Sequence, residues 1–184
     1  MKKMGYMGIS LSNSDNAARI MANEYDMKVE FIPLMTSEGV VKALLDGSVD
    51  YGVVAVRNVI AGPVVETLEA LNLGRIKKIA ELGIPIHHCI FVKREGVKIS
   101  SIASHIQAIE QTQNNVNRMF PQAKRIEVDD TALAAEMLSD GRLSEDTAVI
   151  CGMAAGISNN LVLIKENVED DKENMTYFAL IEAY

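Results

Sequence analysis

The groups in this chain that could do chemistry are few: three histidines, two cysteines, and hydroxyl and amide side chains at the ends of apolar runs. Metal chemistry fails on spacing. His87 and His88 are neighbours, so on an extended strand they would point to opposite faces, and His105 stands alone. Cys89 and Cys151 lack the paired spacing that holds zinc, so no metal and no cofactor is expected. Gly5-Tyr6-Met7-Gly8 is too short for a dinucleotide-binding turn and lacks its third glycine. There is no Gly-x-Ser-x-Gly elbow, and neither cysteine has an evident histidine base.

Neutral polar chemistry remains. Ser104-His105-Ile106-Gln107 reads as a capping box, serine followed three residues later by glutamine at a helix start. Gln111 lies two turns further along the same face. A helix start with a hydroxyl and a carboxamide nearby suits a carboxylate ligand. Asn58 follows the apolar run Tyr51–Val56, at the place where parallel α/β folds bind ligands, although a turn-forming asparagine fits equally well. Thr176 opens the last strand after a polar loop, and propensity alone gives it a structural role.

These residues need a scaffold, and the apolar pattern describes one. Runs of strand length alternate with segments of helical period, which predicts an α/β fold. The first run, Met4 to Leu11, leads through Ser12-Asn13-Ser14-Asp15 into a helix containing Ala17, Ala18, Met21 and Ala22. Val29 to Pro33 is a short strand, and Thr36 or Ser37 caps a helix ended by Asp46-Gly47. Tyr51–Val56 is a buried strand, and Val64 to Leu73 is helical. The second half offers a strand over Pro85–Val92, a long helix over Ser104–Met119 and a short strand over Arg125–Val128. A helix from Asp130 or Thr131 ends at Asp140-Gly141, and Ala148–Cys151 is a strand. The two Asp-Gly helix ends, each followed by an apolar strand, form a weak internal repeat. Two similar lobes would create a ligand cleft between them.

Composition agrees. Of 184 residues, 48% are hydrophobic and 23% charged, which excludes disorder. The formal net charge of −7 argues against binding nucleic acid or an anionic membrane. No apolar run approaches the length of a membrane span, and the first residues lack a signal-peptide core, so a cytoplasmic location is expected. Both cysteines read as buried, unpaired residues. The run Glu169-Asp170-Asp171-Lys172-Glu173 reads as a solvated loop.

Taken in order, several stretches resemble the catalytic domain of the prephenate dehydratase family. Asp50-Tyr51-Gly52-Val53-Val54-Ala55-Val56-Arg57-Asn58 resembles the family's "DYGVVPIEN", and Glu66-Thr67-Leu68 fits the helix after it. Ile84-Pro85-Ile86-His87-His88-Cys89 resembles "LPIxHCL", and Ser104-His105-Ile106-Gln107-Ala108 resembles "SHPQA". Asp130-Thr131-Ala132-Leu133-Ala134-Ala135 resembles "STAxAA", and Asn174-Met175-Thr176-Tyr177-Phe178 stands where the family has "NxTRF". The resemblance spans the chain as a single domain, 1–184. It implies two α/β lobes of the type II periplasmic-binding-protein kind with the active site between them. Lobe one covers about 1–82 plus 168–184, and lobe two about 83–167.

The implied reaction is loss of carbon dioxide and water from prephenate to give phenylpyruvate, in phenylalanine biosynthesis. Aromatisation drives it, so the enzyme mainly holds two carboxylates and helps the ring hydroxyl leave. The family's threonine falls on Thr176 as the catalytic hydrogen-bond donor. Its asparagine, serine and glutamine fall on Asn58, Ser104 and Gln111 as substrate-orienting groups, and Phe178 belongs to the same motif. Tyr177 replaces the family's arginine, and Gly8-Ile9-Ser10-Leu11 stands where the family has "GTFS". Arg57, absent from the usual pattern, either restores part of the lost positive charge beside the substrate or points to solvent. The sequence ends at Tyr184 without the regulatory amino-acid-binding domain that usually follows, so feedback through that domain is not expected. The resemblance also implies a homodimer acting on a small carboxylate. The departures keep two other functions open: a prephenate decarboxylase with a different product, and a non-catalytic carboxylate binder.

Overall fold

Four of the seven helices begin where the N-cap side chain supplies an acceptor for a free backbone N–H group. In the computed structural model, which describes residues 1–184, β1 (Lys2–Tyr6) leads to α1 (Asn13–Glu24), β2 (Val29–Pro33), α2 (Ser37–Leu45) and β3 (Tyr51–Asn58). The short β4 (Gly62–Pro63), α3 (Val65–Leu71) and β5 (Ile76–Pro85) follow. Next come β6 (Cys89–Val92), β7 (Ser101–Ser104), α4 (Ile106–Gln111), α5 (Gln113–Met119) and β8 (Lys124–Glu127). The chain continues through α6 (Thr131–Ser139), β9 (Thr147–Cys151), α7 (Met153–Ser158), β10 (Val162–Lys165) and β11 (Met175–Ala183). Ser12, Thr36 and Asp130 cap α1, α2 and α6 through their side-chain oxygens. Gly47 and Gly141 stand just past α2 and α6 with φ of +76° and +87°, the left-handed conformation that glycine adopts without strain.

The chain divides into two units, Met1–Ile86 with Glu173–Tyr184, and His87–Lys172. The first unit's sheet runs β2-β1-β3-β11-β5, with β4 on the end of β3. β1 is parallel to β2 and β3, whereas β11 is antiparallel to β3 and β5. Ala17, Ala18 and Met21 of α1 pack on one face with Met4, Tyr6, Val53, Phe178 and Leu180. Val40, Val41 and Leu44 of α2 and Ala70 of α3 cover the other face with Val54, Ala179 and Ile181.

The second unit repeats this plan. Its sheet runs β10-β6-β9-β7-β8, with β7 parallel to β8 and β9, and β6 antiparallel to β9 and β10. Read from the other end, the order and directions match those of the first unit. The two Asp-Gly stops end corresponding helices, α2 and α6.

Several local expectations are corrected. The apolar run from Met4 to Leu11 is strand only to Tyr6, and Leu11 has a left-handed φ of +69°. The strand expected over Pro85–Val92 is the end of β5 and all of β6, broken at His87 and His88. The long helix over Ser104–Met119 is two helices. Thr112 turns its hydroxyl back to Ala108 O, and the Asp170 carboxylate caps α5 by accepting from the N–H groups of Asn114 and Asn115. The capping box is absent: His105, not Ser104, is the cap of α4. The unit boundaries fall at 86/87 and 172/173. β5 pairs Pro85 with Met175, and residues 168–170 hydrogen-bond to His88, Gln111, Asn114 and Asn115.

One close approach in the second unit is testable. A Cβ at Gly156 of α7 would lie 2.3 Å from Cε2 and Cζ of the buried Phe91 ring. Gly156→Ala is therefore expected to destabilise the protein by about 1–3 kcal/mol despite alanine's better helix propensity. Urea unfolding measures this, and an unchanged or raised midpoint would show that the ring has room to move.

Candidate active site

In the first unit, the C-terminal ends of β1, β2 and β3 and the start of β11 share one edge of the sheet. Asn58, the last residue of β3, is paired in register with Thr176. Only 8% exposed, it turns the following loop: its Oδ1 accepts from the N–H groups of Ile60 and Ala61, both at 2.9 Å. Two backbone donors can face only the oxygen, so they fix the amide's orientation. The Nδ2 group must then point across the sheet. It donates to Thr176 Oγ1 at 2.9 Å and to Asn174 Oδ1 at 2.8 Å. The Thr176 oxygen is thus an acceptor from Asn58, and its own hydrogen is turned away from that bond. Asn174, buried, is a part of this arrangement that the sequence showed only as a motif letter.

The next pair of residues faces the other way. Directly opposed residues share a face and successive pairs alternate, so Arg57 and Tyr177 leave the sheet on the side opposite Asn58 and Thr176. The Arg57 guanidinium stacks 3.4 Å from the centroid of the Tyr177 ring, with Glu81 3.4 Å from its Nη2. The Tyr177 ring in turn lies over Gly83, where a Cβ would come within 3.0 Å of it. Arg57 is therefore brought to the residue that replaces the family's arginine, but not to the face carrying Thr176. Phe178 shares the Thr176 face and is 1% exposed, packed in the core with Met4, Ala17 and Leu180.

In the second unit the corresponding sheet edge carries Ser104, at the end of β7, and His88, just before β6. Ser104 is fully buried, and its hydroxyl donates to Ile150 O at 2.6 Å, so it ties β7 to β9. Gln111 ends α4, and its Oε1 accepts from His88 Nε2 at 2.9 Å. The acidic run expected to be solvated is exposed only over Asp171, Lys172 and Glu173, while Glu169 and Asp170 turn inward. Glu169 is 1% exposed, accepting from His88 N and His87 Nδ1, both at 3.0 Å, with Lys172 Nζ 3.8 Å away. A buried carboxylate held by two hydrogen bonds, with the Lys172 charge nearby, was invisible in the sequence because both hydrogen-bond partners lie some eighty residues away.

The prephenate dehydratase family model matches residues 4–184. The chain belongs to the prephenate dehydratase family. Among curated relatives, arogenate dehydratase/prephenate dehydratase 1 of Arabidopsis thaliana is 29% identical over 185 residues, covering 97% of this chain and 44% of its own length. The chain thus spans less than half of that relative. Prephenate dehydratase from Arthrobacter aurescens, solved in complex with L-Phe, has the same fold: TM-score 0.87, 23% identity, 99% of this chain and 60% of the other. A periplasmic substrate-binding protein from Coxiella burnetii shares it more distantly, at TM-score 0.53 and 13% identity over the whole chain and 84% of the other. The periplasmic-binding-protein fold class read from the sequence agrees with these likenesses. No helix is long and apolar enough to cross a membrane.

At the second unit's edge, burial favours a neutral imidazole and thiol beside an ionised carboxylate. Burial holds the His88 imidazole below its ordinary value of 6.5, against the opposing pull of its bond to Gln111 and the nearby Glu169 charge. Burial alone would raise the Glu169 carboxyl, yet the His87 ring, the His88 N–H and the Lys172 charge hold it below its ordinary 4.5. Cys89 and Cys151 face each other across β6 and β9 as free thiols. Burial, then the neighbouring Cys89, pushes the Cys151 thiol up to about 12, so it is no nucleophile at neutral pH.

Both His88 and Glu169 make stability fall with acidification. The unfolded chain protonates His88 below about 6.5 while the folded chain resists. The contribution of Glu169 is present above its unfolded value of about 4.5 and is lost as pH falls through its lower folded value. Thermal melts from pH 7.5 to 4 are expected to show a falling Tm, with Glu169→Gln flattening the slope below pH 4.5. A Tm constant across that range would contradict the assignment.

Proposed function

We propose that this chain is a lyase that converts prephenate, or the related amino acid arogenate, to its aromatic product with loss of carbon dioxide and water. For prephenate the balance is the dianion plus one proton giving phenylpyruvate, carbon dioxide and water. The ring C–C bond to the carboxylate breaks, its electron pair enters the ring, and the C–O bond to the hydroxyl breaks. The departing oxygen takes up the proton. Family membership supports the reaction class, and the relatives' names include both substrates.

One observation carries the reading most. Asn58 donates to the Thr176 oxygen, leaving the threonine's own hydrogen to be given to another group. A hydroxyl is a poor acid, so Thr176 acts as an oriented donor that stabilises negative charge building on the leaving oxygen. The ring, its hydroxyl and its carboxylate are common to prephenate and arogenate, so this chemistry serves either. Asn58 orients Thr176, and Gln111 orients the substrate. The hydroxyl of Ser104 is committed to the sheet, so it acts by holding the start of α4. Phe178 acts by packing beneath Thr176, and Arg57 by its charge over Tyr177. The same reading includes a cytoplasmic location and a homodimer.

Incubation with prephenate, followed by the alkaline absorbance of phenylpyruvate, and with arogenate, followed by phenylalanine, tests it. Wild type is expected to turn over at least one of the two. Thr176→Ala should lower kcat about 10²- to 10³-fold, while Thr176→Ser retains most activity. Loss of prephenate without phenylpyruvate, or binding of both compounds without turnover, would overturn the reading. For Arg57, on the other face, Arg57→Ala is expected to change KM by less than about threefold, the scale of a solvent-exposed charge. A larger rise would make it a substrate contact.

A further inference from the structure

Gln111 can present its carboxamide in two ways, oxygen or nitrogen outward, and a neutral side chain beside a carboxylate ligand is useful in only one of them. The structure holds a device that chooses. His88 is buried, and both of its backbone groups are pinned to one loop: its N–H donates to Glu169 Oε2 at 3.0 Å, and its C=O accepts from Val168 N at 2.9 Å. Glu169 is buried as well and is held by His87 Nδ1 and by Lys172. The ring therefore has a fixed place, and its Nε2 lies 2.9 Å from Gln111 Oε1. The same loop reaches Gln111 a second time, since Asp170 N donates to Gln111 O at 2.8 Å. With the ring protonated on Nε2, turning the amide over would set its NH2 against a ring N–H, two donors facing each other without an acceptor.

We propose that His88 is a positioning residue for the reaction: by donating from Nε2 to Gln111 Oε1 it holds the carboxamide with its NH2 group as the donor presented to a substrate carboxylate. The buried Glu169 carboxylate supports this from behind by fixing the His88 backbone. Burial keeps the imidazole neutral near pH 7, so it has one N–H to give and adds no charge. The inference rests on the dehydratase reading for its meaning in turnover, while the His88–Gln111 bond stands independently of it.

The test uses His88→Leu, His88→Gln, Gln111→Leu and the His88→Leu/Gln111→Leu double variant, with urea unfolding of each. A Gln111 contact made equally in the ground and transition states appears in KM. His88→Leu should raise KM about tenfold with a smaller change in kcat, and His88→Gln, whose amide nitrogen can replace Nε2, should stay within about threefold of wild type. The double variant should be no worse than Gln111→Leu alone. Independent, multiplying losses, or a His88→Gln protein as impaired as His88→Leu while equally folded, would overturn the proposal. Imidazole 15N shifts provide a readout without turnover. His88 is expected to be neutral and protonated on Nε2, with a signal that moves in Gln111→Leu; protonation on Nδ1 alone would overturn the proposal. Wild type inactive on both prephenate and arogenate would defeat the functional reading, and the 15N result would then decide this inference by itself.

Discussion

The candidate site in the first unit depends on one carboxamide. Both lone-pair positions of the Asn58 oxygen are occupied by backbone N–H groups of the loop it turns, so its nitrogen must face β11. Rotating it by half a turn would leave those donors without an acceptor, at about 1–3 kcal/mol each. That energy fixes the direction of the next bond and makes the Thr176 oxygen an acceptor. A threonine hydroxyl in solution donates and accepts without preference. Here the sheet register puts it opposite Asn58, and the loop after β3 decides which role remains.

A carboxamide set by its neighbours recurs in the second unit, where His88 orients Gln111 and the Glu169 carboxylate fixes His88. Both units place these groups at the sheet edge where the parallel strands end: Asn58 closes β3 with Thr176 beside it on β11, and His88 precedes β6 with Gln111 above it at the end of α4. In each sheet the antiparallel strand next to the parallel trio, β11 or β6, is the one the chain enters after crossing from the other unit. Thr176 and His88 each lie just where a crossing segment joins its sheet.

Much of the scaffold was legible because local chemistry wrote it. Ser12, Thr36 and Asp130 cap helices, and Gly47 and Gly141 follow their ends in the only conformation that favours glycine there. β3 and β9 are apolar enough to show their burial on both faces. What failed depended on distant partners. β5 carries Lys77, Lys78 and Glu81 on the sheet's outer edge, so it lacked an apolar signature. The break at Thr112 comes from the Asp170 carboxylate arriving from another loop. Glu169 read as surface because charges usually are, and only the fold supplies its donors. At the candidate site the family resemblance pointed to Asn58, Thr176 and Gln111, but not to the direction of their hydrogen bonds, nor to the burial of Ser104 and Phe178. Arg57 showed its charge in the sequence, while its face was set by a bulge in β3 opposite Tyr177 and Phe178.

A crystal structure with a bound, unreactive substrate analogue that keeps the ring hydroxyl would test the central claim most directly. The account predicts the analogue's hydroxyl oxygen about 3 Å from Thr176 Oγ1, with Asn58 Nδ2 still donating to that threonine. An analogue whose hydroxyl lies elsewhere, with Thr176 giving its hydrogen to a protein acceptor instead, would contradict it.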